Sequence, residues 1–283
     1  MNQPPHGPGQ PVSIDPDDAD SHPASVLGKA NQLLAAFVEG PVSIGLTELS
    51  RRSGVPKASA HRLAVELVNL GLLARSGKSY QLGWRIFELG QLVPGPAQLK
   101  AVARPALMDL RSSTHAAVVH LAVGRGPDCV YLERLAGRRE VSLIHAVGSR
   151  VPKHATASGL LFLAYADRHS RTDLDKAAVK GLGMHSQAEL EECYALVRAR
   201  RYSEEKRQVV PGFKTRAVPV FYPGTEHPVG SISATVRADR RDDQPVLHSL
   251  WAAAGEISRG LSAPSLQDTQ GHATGQSATG CAR

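Results

Sequence analysis

Lys57, Ser59, His61 and Arg62 fall within six residues of one another, directly after Gly54-Val55-Pro56, and bring hydrogen-bond donors and positive charge to the place where a helix should begin. Side chains of this kind at the start of an exposed helix can donate to phosphate oxygens and to base edges in the major groove of DNA. A second group lies downstream. His154-Ala155-Thr156-Ala157-Ser158-Gly159 places small and hydroxyl-bearing residues where a loop enters a helix, and the N–H groups of a helix start are a seat for a carboxylate. Thr215, Ser233 and Thr235 lie on predicted strands, the last two on one face because strand side chains alternate.

Bond-making chemistry has weaker support. The twelve histidines form no His-x-His or His-Glu-x-x-His pattern, and His115 and His120, five apart across a predicted turn into a strand, read as structural or surface residues. Ser158 precedes Gly159 without the Gly-x-Ser-x-Gly elbow of a strained nucleophile. Gly181-Leu182-Gly183 has no third glycine and no strand before it, which argues against dinucleotide binding. No catalytic residue, metal or cofactor is expected. The three cysteines, Cys129, Cys193 and Cys281, are odd in number and unpaired in spacing, which fits a reducing cytoplasm. The longest apolar run, Leu160 to Ala166, is far too short to cross a bilayer, so no membrane partner is expected.

The elements that must position the first group can be read around it. Leu46 and Leu49 face inward on one short helix, Gly54 permits a reversal, and Pro56 fixes the start of the next. On that second helix Ala60, Leu63, Ala64, Leu67 and Leu70 form an apolar stripe, leaving Ala58, His61, Arg62, Val65 and Asn69 on the other side. Gly71 ends it. Leu72 to Ala74 and Tyr80 to Leu82 then read as strands around Ser76-Gly77-Lys78, a hairpin with a cation at its tip. Upstream, Val26 to Val38 supplies a third helix, with Val26, Leu27, Ala30, Leu33, Leu34 and Phe37 as its stripe. The whole is a winged helix-turn-helix. Arg51, on the first helix, and Lys78, on the wing, are placed to hold the DNA backbone.

Charge is distributed to match. The chain of 283 residues has a sequence pI of about 9.5. Ser25 to Lys100 contains nine Lys or Arg against four Asp or Glu, whereas the first 24 residues carry Asp15, Asp17, Asp18 and Asp20 and no Lys or Arg.

The run GVPKASAHRLAVELVNLGLLARSGKSYQLG resembles the winged helix of IclR-type bacterial transcription regulators, in which a Pro-Lys-Ser-Thr-Val-His-Arg-Leu-like string opens the recognition helix; Ala58 and Ala60 replace the hydroxyl and β-branched residues usual there. The segments VGSRVPKHATASG, YSEEKRQVVPGFKTRAVPV and VGSISATV resemble, in the same order, the loops and strands of that family's ligand-binding domain. Leu160 stands where the family usually has Lys, and Thr215 replaces a frequent Cys. The resemblance spans most of Ser25 to Ala263. It implies a GAF-like fold, backbone contacts from Ala157 and Ser158 to an effector, and a polar end lined by Glu205, Thr215, Ser233 and Thr235.

The expected fold class is therefore α+β. Residues 1–24 read as a disordered tail, 25–90 as the winged helix-turn-helix, 91–101 as a linker, 102–263 as the GAF-like domain and 264–283 as a second tail. Helices are expected at Trp84 to Val93, Ala97 to Ser112, near Ala157 to Tyr165, from the capping box at Ser186 to about Arg201, and over Asp243 to Leu261. Strands are expected at Ala116 to Val123, Cys129 to Leu135, Val141 to Ala146, Lys214 to Tyr222 and Val229 to Arg237. The function implied is a ligand-responsive regulator, a repressor by family habit. It would bind double-stranded operator DNA as a homodimer or a tetramer and sense a small organic or aromatic acid. The alternative is an enzyme built on the second domain, with the helix-turn-helix serving regulation.

Overall fold

The computed structural model describes residues 25–38, 40–93, 95–137, 145–205 and 211–261. Helix α1 (Val26–Ala35) begins at Ser25, whose hydroxyl accepts from the Gly28 N–H at 2.9 Å. Strand β1 (Ile44–Gly45) leads into α2 (Leu46–Ser53), Gly54 ends that helix at φ 69°, and α3 (Lys57–Asn69) starts directly after Pro56. A Schellman turn closes α3: Gly71 sits at φ 73° and the Leu72 N–H donates back to the Leu67 carbonyl at 2.9 Å. Strands β2 (Leu73–Ser76) and β3 (Ser79–Leu82) then form the wing. Gly77-Lys78 joins them, with Gly77 at φ 59°, a two-residue turn that suits the strand twist. The strands lie in the order β1-β3-β2, and Leu33, Leu49, Leu63, Leu67, Leu73 and Tyr80 fill the core beneath.

Three residues expected in that core lie outside it. Val26 and Leu27 are 59% and 81% exposed, because the packing runs through Leu33 of α1 and through Ala36 and Phe37 just after it, and the first turn overhangs them. Leu70 is 65% exposed because it caps α3 beyond the last packed turn. Helix α1 also stops at Ala35, short of Val38.

Two helices follow, α4 (Trp84–Gln91) and α5 (Pro96–Thr114). Next come β4 (Val118–Arg125), β5 (Asp128–Ala136), β6 (Arg150–Pro152), α6 (Ala157–Tyr165), α7 (Thr172–Leu182) and α8 (Gln187–Arg200). The chain closes with β7 (Ser203–Glu204), β8 (Phe213–Phe221), β9 (Pro228–Arg237) and α9 (Gln244–Gly260). The six strands form one antiparallel sheet in the order β6-β5-β4-β9-β8-β7. Of the strand expected at Val141 to Ala146, residues 141–144 lie outside the described residues, and His145 and Ala146 are not in a strand.

The two faces of the sheet differ chemically. Val119, Leu121, Val218, Val220, Ile232 and Ala234 point to one side and share a core with α5 and α9. His120, Thr215, Ser231, Ser233 and Thr235 take the alternate positions on the other side, the side of α6. A solvated polar face would be ordinary for an antiparallel sheet. Here Ser231, Ser233 and Thr235 are buried, because α6 covers them.

Candidate nucleic-acid interface and ligand pocket

Helix α3 presents Lys57, His61, Arg62, Val65 and Asn69 to solvent, while Ala60, Leu63, Ala64 and Leu67 are buried. Ser59 is half-buried and Lys78 is exposed at the wing tip. Arg51 is exposed but already engaged: its Nε and Nη2 donate to the two Glu48 oxygens at 2.8 and 2.5 Å. Arg52 donates to the same carboxylate at 2.8 Å, and these hydrogen bonds hold the Glu48 carboxyl down to about 2. Two arginines sharing one acid leave a net positive charge beside α3.

One cavity of about 30 Å³ gathers all six residues assigned to the effector: Ala157, Ser158, Glu205, Thr215, Ser233 and Thr235. Helix geometry explains its first wall. Thr156 caps α6, its hydroxyl accepting from the Gly159 N–H at 2.9 Å, which leaves the Ala157 and Ser158 N–H groups without an acceptor inside the helix. Gly159 is required here, since a Cβ would stand 2.0 Å from the Lys153 carbonyl oxygen in the preceding 3-10 turn (Lys153–Ala155).

The second wall is the buried strand face. The Thr215 and Thr235 hydroxyls lie 3.0 Å apart, and Ser231 donates to the Ser158 hydroxyl at 3.1 Å, tying β9 to the start of α6. Ser203 donates to the Ala157 carbonyl at 2.6 Å. Glu205 is set against β8 by its N–H to the Thr215 carbonyl at 3.1 Å. Burial pushes the Glu205 carboxyl up, against the opposing hydrogen bond from Thr215. Among the described residues no Lys or Arg lines the cavity, and Leu160, at the position usually held by Lys, is packed in the apolar cluster between α6 and α8.

Sequence reasoning missed the third wall. His120, Tyr131, His145, Thr156 and Phe213 also line the cavity, so the structural reading of His120 was incomplete. His120 donates from Nε2 to the His145 carbonyl at 3.2 Å, and its ring lies 4.6 Å from that of Tyr131, which stacks on His145 at 5.3 Å. The available signal was the parity of β4, where His120 interrupts the apolar series Val118-x-His120-x-Ala122.

Burial holds the His120 imidazole down to about 4, well below its ordinary value of 6.5. The unfolded chain therefore binds a proton that the folded chain refuses between these values. Stability should fall by about 1.4 kcal/mol per pH unit as pH drops from 6.5 towards 4. His120→Gln should flatten that part of the profile in urea melts, and an unchanged slope would remove His120 as its source.

The exposed cationic helix, the wing and the covered sheet with a polar inner face define a two-part DNA-binding sensor. Residues 26–77 match the IclR helix-turn-helix domain and residues 94–259 match the bacterial transcriptional regulator IclR C-terminal domain. The chain belongs to the IclR family and is a ligand-responsive DNA-binding transcriptional regulator. It is 33% identical over 141 residues to the HTH-type transcriptional regulator KipR of Bacillus subtilis (strain 168), spanning 50% of this chain and 56% of KipR. It is 30% identical over 212 residues to the HTH-type transcriptional regulator KdgR of Dickeya chrysanthemi, spanning 72% of this chain and 69% of KdgR. The fold is shared with the crystal structure of an IclR homolog complexed with 4-hydroxybenzoate from Microbacterium hydrocarbonoxydans. That likeness has 24% identity and a TM-score of 0.74, over 83% of this chain and 98% of that one. No described helix is long and apolar enough to cross a membrane.

Proposed function

We propose that the protein is a cytoplasmic repressor, not an enzyme. In this reading it binds a pseudo-palindromic operator as a homodimer and changes its affinity when a small organic or aromatic acid enters the cavity between α6 and the sheet. We assign DNA binding to residues 25–90, the linker to 91–101 and effector binding to 102–263. The observation that carries the ligand reading is the burial of Ser233 and Thr235 on the wall of a cavity. These hydroxyls share the cavity with the Ala157 and Ser158 N–H groups, which α6 itself does not pair and which suit a carboxylate. Repression is carried over from the family resemblance. The 4-hydroxybenzoate found with the structural neighbour makes it a sensible first probe.

Size adds a mechanism. A cavity of about 30 Å³ has room for about two waters, so a metabolite must part the walls to enter. A ligand that binds one arrangement better shifts the population towards it and alters operator affinity only to the extent of that difference. Pairing of two chains is supported by α4, where Trp84, Phe87 and Leu89, with Leu92 at the cap, are exposed apolar side chains, and by the half-site that a single recognition helix covers.

For DNA, Lys57, Ser59, His61 and Arg62 are assigned to the major groove, with Arg51 and Lys78 on the backbone. Arg62→Ala should weaken specific binding by about 1–3 kcal/mol, whereas Lys78→Ala should weaken all sequences alike and flatten the salt dependence. Fluorescence anisotropy across salt, with the stoichiometry on the operator, tests both claims. Wild-type affinity in both variants, or one chain per operator, would contradict this assignment.

A further inference from the structure

We propose that the cleft around the C-terminal end of α6 is a second small-ligand site, one that takes an aromatic ring bearing a carboxylate or phosphate. Two cavities of about 880 and 320 Å³ adjoin there, sharing Tyr165, Ala166 and His227. The larger has the volume of a small-molecule pocket. Its walls are the last turn of α6, the end of α8 and the hairpin between β8 and β9. Arg168, Arg198 and Arg201 line it, Arg125 and Lys153 line the smaller cavity, and Asp167, Glu191 and Glu226 oppose them.

The cations divide into engaged and available ones. Arg171, also on the wall, is saturated by Asp175, Glu191 and the carbonyls of Leu163 and Ala166. Arg198 gives one N–H to the Ala164 carbonyl and, among the described residues, retains four. His227 approaches the Tyr165 carbonyl at 2.9 Å. Together these groups cover the carbonyls at the end of α6, whose partial negative charge would otherwise repel an anion. Arg168 has only a 3.8 Å contact to Glu191, and the Arg201 side chain makes no hydrogen bond or ion pair to another described residue. Arg201 also occupies the left-handed cap of α8 at φ 54°, a conformation that favours glycine, yet the sequence keeps a long cation there.

The same cleft offers a platform for a ring. Tyr165 and Phe221 meet edge to face at 5.5 Å, with Tyr222 beside them. Guanidinium groups pair bidentately with carboxylate or phosphate while aromatic faces stack on a ring. Among the described residues no Lys or Arg lines the effector cavity, whereas several line the cleft, and the cleft does not depend on the assignment of that cavity.

The test uses the full chain carrying 5-fluorotryptophan. Its two tryptophans, Trp84 and Trp251, give two ¹⁹F signals, and the Trp251 indole N–H donates to the Arg201 carbonyl at 3.3 Å. Phenyl phosphate, benzoate and inorganic phosphate are the probes. The Trp251 signal should shift saturably with at least one ring-bearing probe, the Trp84 signal should not, and the stronger of the two probes identifies the head group. Inorganic phosphate should bind at least about tenfold more weakly than phenyl phosphate. Arg168→Gln/Arg201→Gln should weaken the response at least about tenfold at unchanged melting temperature, while Ser233→Ala/Thr235→Val should leave it intact. No saturable Trp251 shift by about 10 mM of either ring-bearing probe, or an undiminished shift in the arginine variant, would overturn the site. Inorganic phosphate binding as tightly as phenyl phosphate would overturn its aromatic half.

Discussion

Arg171→Ala should destabilise the sheet-containing part of the protein by about 3–5 kcal/mol, the largest effect expected of any single truncation here. Arg171 is 4% exposed. Its Nε donates to Asp175 at 3.2 Å, its Nη2 to both Glu191 oxygens at 2.6 and 2.8 Å, and its Nη1 to two carbonyls at the end of α6. The guanidinium also lies 4.6 Å from the Tyr194 ring, and the Tyr194 hydroxyl donates to Asp175 at 2.9 Å. Burial opposes its charge, but Glu191 and Asp175 more than offset that and hold its pKa above the ordinary value. Truncation leaves Asp175, 3% exposed, without its cation. Thermal melts should show a loss on the order of 10 °C. Asp175→Ala added to it should cost less than the sum of the two changes, since the orphaned charge is then gone. A loss below about 1 kcal/mol would mean that water reaches Asp175 and that the network is not sealed.

Gly159→Ala is expected to come next, at about 3 kcal/mol or more, because the added Cβ would stand 2.0 and 2.4 Å from backbone atoms of Lys153. Backbone cannot rotate away as a side chain can, so α6 and the 3-10 turn before it must separate. That movement displaces the Ala157 and Ser158 N–H groups, and ligand binding should suffer with stability. Calorimetric melting decides the first point, and a variant that melts like wild type would show that the turn yields at little cost.

The two halves of the chain were unequally legible. Gly54, Pro56, Gly71 and Gly77 punctuate the winged helix, and each marks a turn that the structure contains. Local residues dictate local geometry there. The ladder Ser231-Ile232-Ser233-Ala234-Thr235-Val236 was equally plain as a strand, but its polar side faces a cavity only because α6 covers it, and nothing within β9 says so. His120 and Tyr131 were missed for the same reason, since each gains its place from neighbours across the sheet that its own strand does not reveal. Helix α7 escaped notice because TDLDKAAVKGL is rich in charge and alanine and hides Asp175, a buried residue whose partners Arg171, Gln187 and Tyr194 lie outside the helix. Strands β1, β6 and β7, at two or three residues, are too short to show a period.

The most direct test of the account is an operator titration of the wild-type protein and of Ser233→Ala/Thr235→Val, each with and without a small organic acid chosen from those suggested by the genes beside genomic DNA recovered with the protein. Ser233 and Thr235 are assigned to the ligand and lie on the inner face of the sheet. The double variant should therefore bind operator without ligand nearly as the wild type does and lose the ligand's effect on affinity. A double variant that still responds at the same ligand concentration as the wild type would contradict the account, because sensing would then rest on other residues.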